Sequence, residues 1–442
     1  MKIQLSEHFT YSKLLRFVFP SIVMMIFTSI YSVVDGFFVS NFVGKTPFAA
    51  INLIFPFLMI FGALGFMLGT GGSALVAITL GEGNKERANQ LFSMLIYLTM
   101  ISGVVLTIVG LLLLKPVAIA LGAQGALLTN CVTYGRILLV TTTAFMLQNV
   151  FQSFLVVAEK PQLGLKITVA AGVTNIVFDA LFVAILRWGL VGAALATALS
   201  QLVGGMIPLI YFVRPNESLL KLTKARLDGG AIWKTCLNGS SELVSNLSMS
   251  IVSMLYNMQL MHFAGEDGVA AYGVIMYVNF IFVAVFLGYA IGSAPIISYH
   301  YGAGNHSELK NLFYKSNIIL LIGGITLTIL AELLARPLSH IFVSYDKTLL
   351  EMTVWGFRIY SLAFLMSGFN IFGSSFFTAL GNGLVSAAIS FLRTLVFQVA
   401  AVLILPIFFQ LDGVWAAIVV AESVALLITV TFFVTMRKRY HY

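Results

Sequence analysis

Residues 19–36 read FPSIVMMIFTSIYSVVDG, an apolar stretch of helical length with Pro20 near its start and one carboxylate, Asp35, near its far end. Fifteen residues separate the two, about 22 Å along a helix at ~1.5 Å per residue. Unpaired in hydrocarbon, a carboxylate costs on the order of 3 kcal/mol. Asp35 therefore needs a proton, a cation or a polar partner. Pro20 has no N–H for the helix ladder and leaves a carbonyl one turn earlier without its bond, which marks a kink or hinge. A hinge and a titratable group on one helix are what a coupled transporter needs.

The rest of the composition fits that reading. Of 442 residues, 59% are hydrophobic and 10% charged, with mean hydropathy +0.98. A soluble chain carries ~25% charged residues, so this one is an all-α integral membrane protein. The opening MKIQLSEHFTYSKLLRF has basic residues ahead of an apolar run but no small-residue cleavage site, and so reads as the start of a first spanning helix. Cys131 and Cys236 are the only cysteines. They fall near opposite membrane faces, which excludes a disulfide between them. No cysteine or histidine cluster has metal-ligand spacing, and no GxxxxGK[ST] is present, so ATP is not the expected energy source.

Apolar runs of spanning length predict twelve helices near 14–41, 48–80, 90–114, 130–157, 163–186, 190–213, 233–263, 269–300, 312–334, 351–379, 384–408 and 412–435. With both termini and the even-numbered connections cytoplasmic, eighteen Lys and Arg fall inside, among them Lys2, Arg87 and Arg393. Seven, including Lys45, Arg136 and Arg358, fall outside. That is a positive-inside bias, and it accounts for the net charge of +8 without nucleic acid. The expected location is a bacterial plasma membrane, with the basic residues in contact with anionic membrane lipid.

The chain repeats itself. Residues 44–92 laid on 265–313 match without a gap at 13 of 49 positions, including Gly81/Gly302 and Gly83-Asn84/Gly304-Asn305. A shift of 222 pairs Arg136 with Arg358. The repeat predicts two pseudo-symmetric six-helix lobes, 1–213 and 233–442, related by an axis along the membrane normal. The polar linker 214–232 joins them, and its Leu and Lys/Arg spacing predicts a short surface helix.

Depth places the polar residues. Asp35 lies near the outer end of the first helix, Asn175 and Asp179 on one face of the fifth, and Thr197 along the sixth, all in the outer half of the first lobe. Their oxygens suit a hard cation such as Na⁺. Two buried carboxylates close together equally make a proton carrier. Thr197 has the alternative of bonding its own helix carbonyl. Glu242 and Glu422 are possible secondary acids, and His262 and His300 are expected to be solvated at helix ends. Across the repeat Asp35 aligns with Tyr256, Asn175 with Phe397 and Asp179 with Ala401. The oxygen cluster belongs to one lobe only, which favours function over packing.

On these residues the sequence resembles the MATE (multidrug and toxic compound extrusion) family, more its DinF-like branch than its NorM-like one. The resemblance covers the whole chain and is most specific at Pro20, Asp35, Asn175, Asp179, Ala193 and Thr197. It implies a MATE/MOP-type fold and a cation or proton site at Asp35, Asn175, Asp179, Thr197 and the carbonyl of Ala193, with Pro20 as the point of bending. Acids in the seventh and tenth helices mark the NorM-like branch. The predicted tenth helix has none beyond Glu351 at its mouth, and Glu242 lies too near the start of the seventh to be equated with that group.

The expected function is secondary active export of bulky, cationic organic compounds against inward-moving H⁺ or Na⁺, by a chain working as a monomer without a cofactor. The alternative is a lipid-linked saccharide flippase of the related MurJ type, which would line its cavity with cationic groups and often has two further helices. An intramembrane enzyme would need a nucleophile with its base, or a metal set, at one depth. A passive channel would not need one-sided acids in a lobed repeat.

Overall fold

The computed structural model describes residues 3–344 and 346–442; Lys2 lies outside them, as does the side chain of Lys45. Among the described residues all regular structure is helical. Eight helices are long and apolar enough to span, and two bent pairs add one span each. Two of the eight break again, at Gly265 (φ 60°) and Gln410 (φ 50°), so the spans among the described residues number twelve. They are α1 (Tyr11–Phe42), α2 (Lys45–Gly81), α3 (Lys85–Ala120), α4 (Gly125–Val140 bent into Thr142–Val157), α5 (Pro161–Asp179 continued by Ala180–Ile185) and α6 (Gly189–Val213). The second lobe has α7 (229–264), α8 (266–302), α9 (His306–Val343), α10 (Lys347–Ser361 bent into Phe364–Ala379), α11 (383–409) and α12 (411–440).

The repeat is written into the turns. Left-handed backbone occurs at Gly44 and Gly265, Gly83 and Gly304, Glu159 and Gly381, and Arg187 and Gln410, pairs that coincide under shifts of 221 to 223 residues. The bends in α4 and α10 are 55° and 49°. The GxGN turns explain themselves residue by residue. Gly83 and Gly304 supply the positive φ. Asn84 and Asn305 then cap the next helix, accepting the backbone N–H of Arg87 at 3.0 Å and of Glu308 at 3.1 Å.

The first glycine of each turn does something else. A Cβ on Gly81 would overlap the Tyr299 carbonyl, and one on Gly302 the Ile78 carbonyl, so α2 and α8 touch backbone to backbone. Gly71 sits likewise on Thr235, and Gly239 on Met67, joining α2 to α7. Gly288 and Gly292 seat α8 on Ile22 and Val18 of α1. These contacts gather toward the end of the bundle that carries both termini: Tyr442 packs on Phe313 at 4.7 Å, and Phe9 donates its N–H to Glu308 at 2.9 Å. Close approach through small residues is how helices associate where lipid removes the hydrophobic drive.

The linker departs from expectation. No helix forms in 214–228. Asn216 Oδ1 accepts the Ser218 N–H at 3.0 Å, a local turn that competes with helix. The Lys221 and Thr223 N–H groups go to Asn89 Oδ1 and Ser93 Oγ of α3, at 2.9 and 2.8 Å. Their donors are spent on a neighbour, so the segment stays extended. Cys131 and Cys236 are both free.

Gly81→Val should lower the thermal midpoint in detergent, as overpacking costs about 1–3 kcal/mol. Gly229→Ala, whose Cβ would meet nothing within 4 Å, should leave it unchanged in the same melts.

Candidate functional site

The first lobe builds its site where α1, α4, α5 and α6 converge. Gly172 lets α5 lie against α1, since a Cβ there would overlap the rings of Phe27 and Tyr31. Three residues further along α5 comes Asn175, and one turn beyond that Asp179, both buried. Immediately after Asp179 the helix widens into a π-helical turn, Ala180–Ile185, with the Leu186 N–H on the Leu181 carbonyl at 2.8 Å. Such bulges re-register side chains and recur at functional positions.

The result brings four of the expected residues together. Asp35 lies close enough to both Asp179 and Asn175 to interact with each. Asp35, Asn175 and Thr197 line a cavity of about 210 Å³, with Asp179 fully buried behind it. Both oxygens of Asp179, Oδ1 of Asp35 and Oδ1 of Asn175 have no hydrogen-bond donor. Orphaned oxygens at one buried spot call for something positive. A carboxyl can donate to a second carboxyl only if one of them holds a proton, and two buried carboxyls this close favour sharing one. The same oxygens also fit a hard cation.

Ala193 and Thr197 play a narrower part. Thr197 Oγ1 donates to the Ala193 carbonyl at 3.1 Å, the bond within its own helix. Thr197 lines the cavity, but its hydroxyl proton and the Ala193 carbonyl engage one another.

Sequence reading missed the rest of the polar lining. Tyr31, Tyr134, Gln148 and Gln201 all line the cavity. Gln201 accepts from Thr141 at 2.7 Å. Tyr31 lies four residues before Asp35 and shares its face, so periodicity could have found it. Tyr134 and Gln148 flank the bend in α4, which no local pattern announces.

The second lobe neutralises its charge differently. Tyr256, in the place of Asp35, stacks on Tyr272 at 5.0 Å. Arg393 does not belong to the inner surface, where the charge count put it. It lies in a π-helical turn of α11, Leu392–Phe397, and forks onto Glu422 with Nη2 and Nε each at 2.8 Å from Oε1. Asn370 donates to the same carboxylate at 2.7 Å and accepts from Thr429 at 2.8 Å. The ion pair removes the reason for Arg393 to seek water, and it occupies Glu422, whose side chain is 1% exposed. Glu242 is half-buried, one turn along α7 from the Gly239 contact. His262 is exposed as expected, whereas His300 is not solvated: it is buried edge-on to Phe9 at 6.4 Å.

This architecture has relatives. A sequence model of the MatE family matches twice, over residues 20–181 and 243–404, once in each lobe. The chain belongs to the MatE family. A curated relative, the multidrug export protein MepA of Staphylococcus haemolyticus, is 22% identical over 98% of this chain and 95% of its own. Among solved structures, the outward-facing conformation of a multidrug resistance MATE family transporter of the MOP superfamily superposes with TM-score 0.92 at 26% identity. That match covers 99% of this chain and 97% of the other. A MATE structure described as being in the straight conformation gives TM-score 0.92 at 25% identity, with the same coverage. The matches in both lobes of this MatE chain agree with the internal repeat, and the whole-chain superpositions with the twelve-helix fold.

Removing one member of the buried pair exposes the cost of the other. Arg393→Met should destabilise the protein by about 3–5 kcal/mol. Adding Glu422→Leu should recover most of that loss in thermal unfolding of the purified protein.

Proposed function

We propose that this MatE-family chain is a multidrug exporter of the bacterial plasma membrane, acting as a monomer on small, cationic organic compounds. Both termini and the GxGN turns face the cytoplasm in this reading, which the distribution of Lys and Arg supports. The likeness to MepA and to multidrug resistance transporters supports the substrate class. The carboxyls of Asp35 and Asp179, which have unpartnered oxygens and lie in the first lobe's site, support the DinF-like affiliation.

Export is driven by protons. The observation that carries this is the meeting of Asp35 and Asp179 within reach of each other, with their remaining oxygens unsatisfied. Two ionised carboxylates in contact repel, and one proton removes the repulsion and supplies the missing donor. Loading that proton from outside and releasing it inside would alternate the lobes about their glycine seams. A second reading, Na⁺ as the coupling ion, is favoured by the unpartnered Asn175 Oδ1, a ligand that a proton does not need.

Pro20 is where α1 would yield. It is the tenth residue of a helix that starts at Tyr11 behind the Thr10 cap, so it is an interior proline and not a first-turn one. Its missing N–H leaves the ladder one bond short on the half of α1 away from Asp35.

Asp35→Asn and Asp179→Asn should each cut efflux driven by an imposed pH gradient in proteoliposomes by on the order of tenfold or more. Equal efflux in Na⁺-free and Na⁺-replete buffer would remove the second reading. A strict Na⁺ requirement would remove the first. Pro20→Ala should keep the fold and slow the interchange of the two facing forms, measured with spin labels across the cavity mouth, because alanine strengthens the helix at its weak point.

A further inference from the structure

The segments that lead into the first helix of each lobe are both held by the opposite lobe, at equivalent places. Ahead of α1, residues 3–10 lie against the start of α9. Phe9 is fully buried; its N–H goes to Glu308 Oε1 at 2.9 Å. Its carbonyl accepts from Asn311 at 3.0 Å and from Lys315 Nζ at 2.7 Å. His8 Nδ1 meets Glu308 Oε2 at 2.6 Å. Asn311 adds a bond to Glu308 Oε1 at 2.8 Å.

Ahead of α7, the end of the linker lies against the start of α3. Arg87 pairs with Asp228, and the Asp228 N–H lies 3.3 Å from Met94 Sδ. Asp228 also caps α7, accepting the Ala231 N–H at 3.0 Å. The Ala231 N–H and then the Arg87 guanidinium hold the Asp228 carboxyl below the usual carboxylate range. Upstream, Lys221 and Thr223 are fastened to Asn89 and Ser93 of the same helix.

The two arrangements coincide under the repeat. A shift of 221 places residue 87 on 308, residue 94 on 315 and residue 7 on 228. Position 87/308 is the third residue of a helix capped by the asparagine of a GxGN turn. In an ordinary capping box that side chain reaches back to its own cap. Here Arg87 and Glu308 reach across to the other lobe's leading segment instead, and they carry opposite charges.

We propose that Arg87–Asp228 and Glu308–His8/Phe9 are a crossed pair of latches that hold the cytoplasmic ends of the two lobes together while the outer side is open. The position of each follows from the same repeat element, the turn that ends the glycine seam. Separating the lobes at this end requires both latches to let go, because each ties the entrance of one lobe's first helix to the third helix of the other. Leu5 fixes the strap's far end to the first lobe, its N–H on Glu159 Oε1 at 2.9 Å, so the strap cannot follow the second lobe as it moves. The proposal rests on the two-lobed alternation and the orientation given above, but its readout is distance and not transport, so a failure of the proton reading leaves it untouched.

The test places nitroxide labels at Lys166 and Lys310, exposed positions at this end in opposite lobes, and reads the distance distribution in the full-length protein in nanodiscs. Glu308→Gln and Arg87→Gln should each raise the long-distance fraction by about threefold or more, with a larger rise in the double variant. Should Glu308→Gln fail to fold, Lys315→Met removes the shorter of the two bonds to the Phe9 carbonyl while keeping the aliphatic stem, and should raise the long-distance fraction in the same direction. Arg336→Gln serves as control, since it breaks the exposed Arg336–Glu351 pair (2.5 Å) away from the latches, and it should leave the distribution unchanged. A wild-type distribution in the latch variants, or an equal rise in the control, overturns the proposal.

Discussion

Everything in the first lobe answers to one constraint: a carboxylate cannot stay ionised and alone inside a membrane. Asp35 meets that constraint by facing a second carboxyl, Asp179, across an interface of α1 and α5 that exists because Gly172 has no side chain. The arrangement is stable only with a positive charge between the partners.

The second lobe solves the same problem permanently. Glu422 has a guanidinium forked onto it and an amide behind it, so its charge is compensated in every state that keeps α11 against α12. Arg393 and Glu422 align with Ala171 and Ser200 under a shift of 222. There the first lobe makes only a hydroxyl-to-carbonyl bond of 2.8 Å between α5 and α6. The same helix pair is thus clamped by an ion pair in one lobe and by a weak contact in the other. The two lobes hold equivalent helix pairs by contacts of different strength.

Between the lobes the contacts are made by backbone. Where Gly71, Gly81, Gly239 and Gly302 meet carbonyls directly, the surfaces are flat and small. Such a seam can part and re-form without repacking large side chains. Its strength comes from fit and from the polar contacts at its edge, and both are short-ranged.

Much of this was legible in the chain. Spanning helices follow from the length of apolar runs, because hydrocarbon requires every backbone group to be satisfied within its own segment. The two-lobed repeat, the GxGN turns and the depth of Asp35, Asn175, Asp179 and Thr197 follow from spacing alone, since depth along a helix is counted in residues. What lies across from each residue does not follow. Arg393 looked like a surface charge because a sequence scan weighs a cation by its position and cannot see Glu422 twenty-nine residues later on the facing helix. The linker looked helical because its donors' partners, Asn89 and Ser93, sit on α3. His300 looked solvated at its helix end until Phe9 was folded over it. Periodicity and hydropathy are properties of one segment, so the sequence by itself determined the segments and their depths. Partners are a property of two segments, and only the tertiary structure decided them.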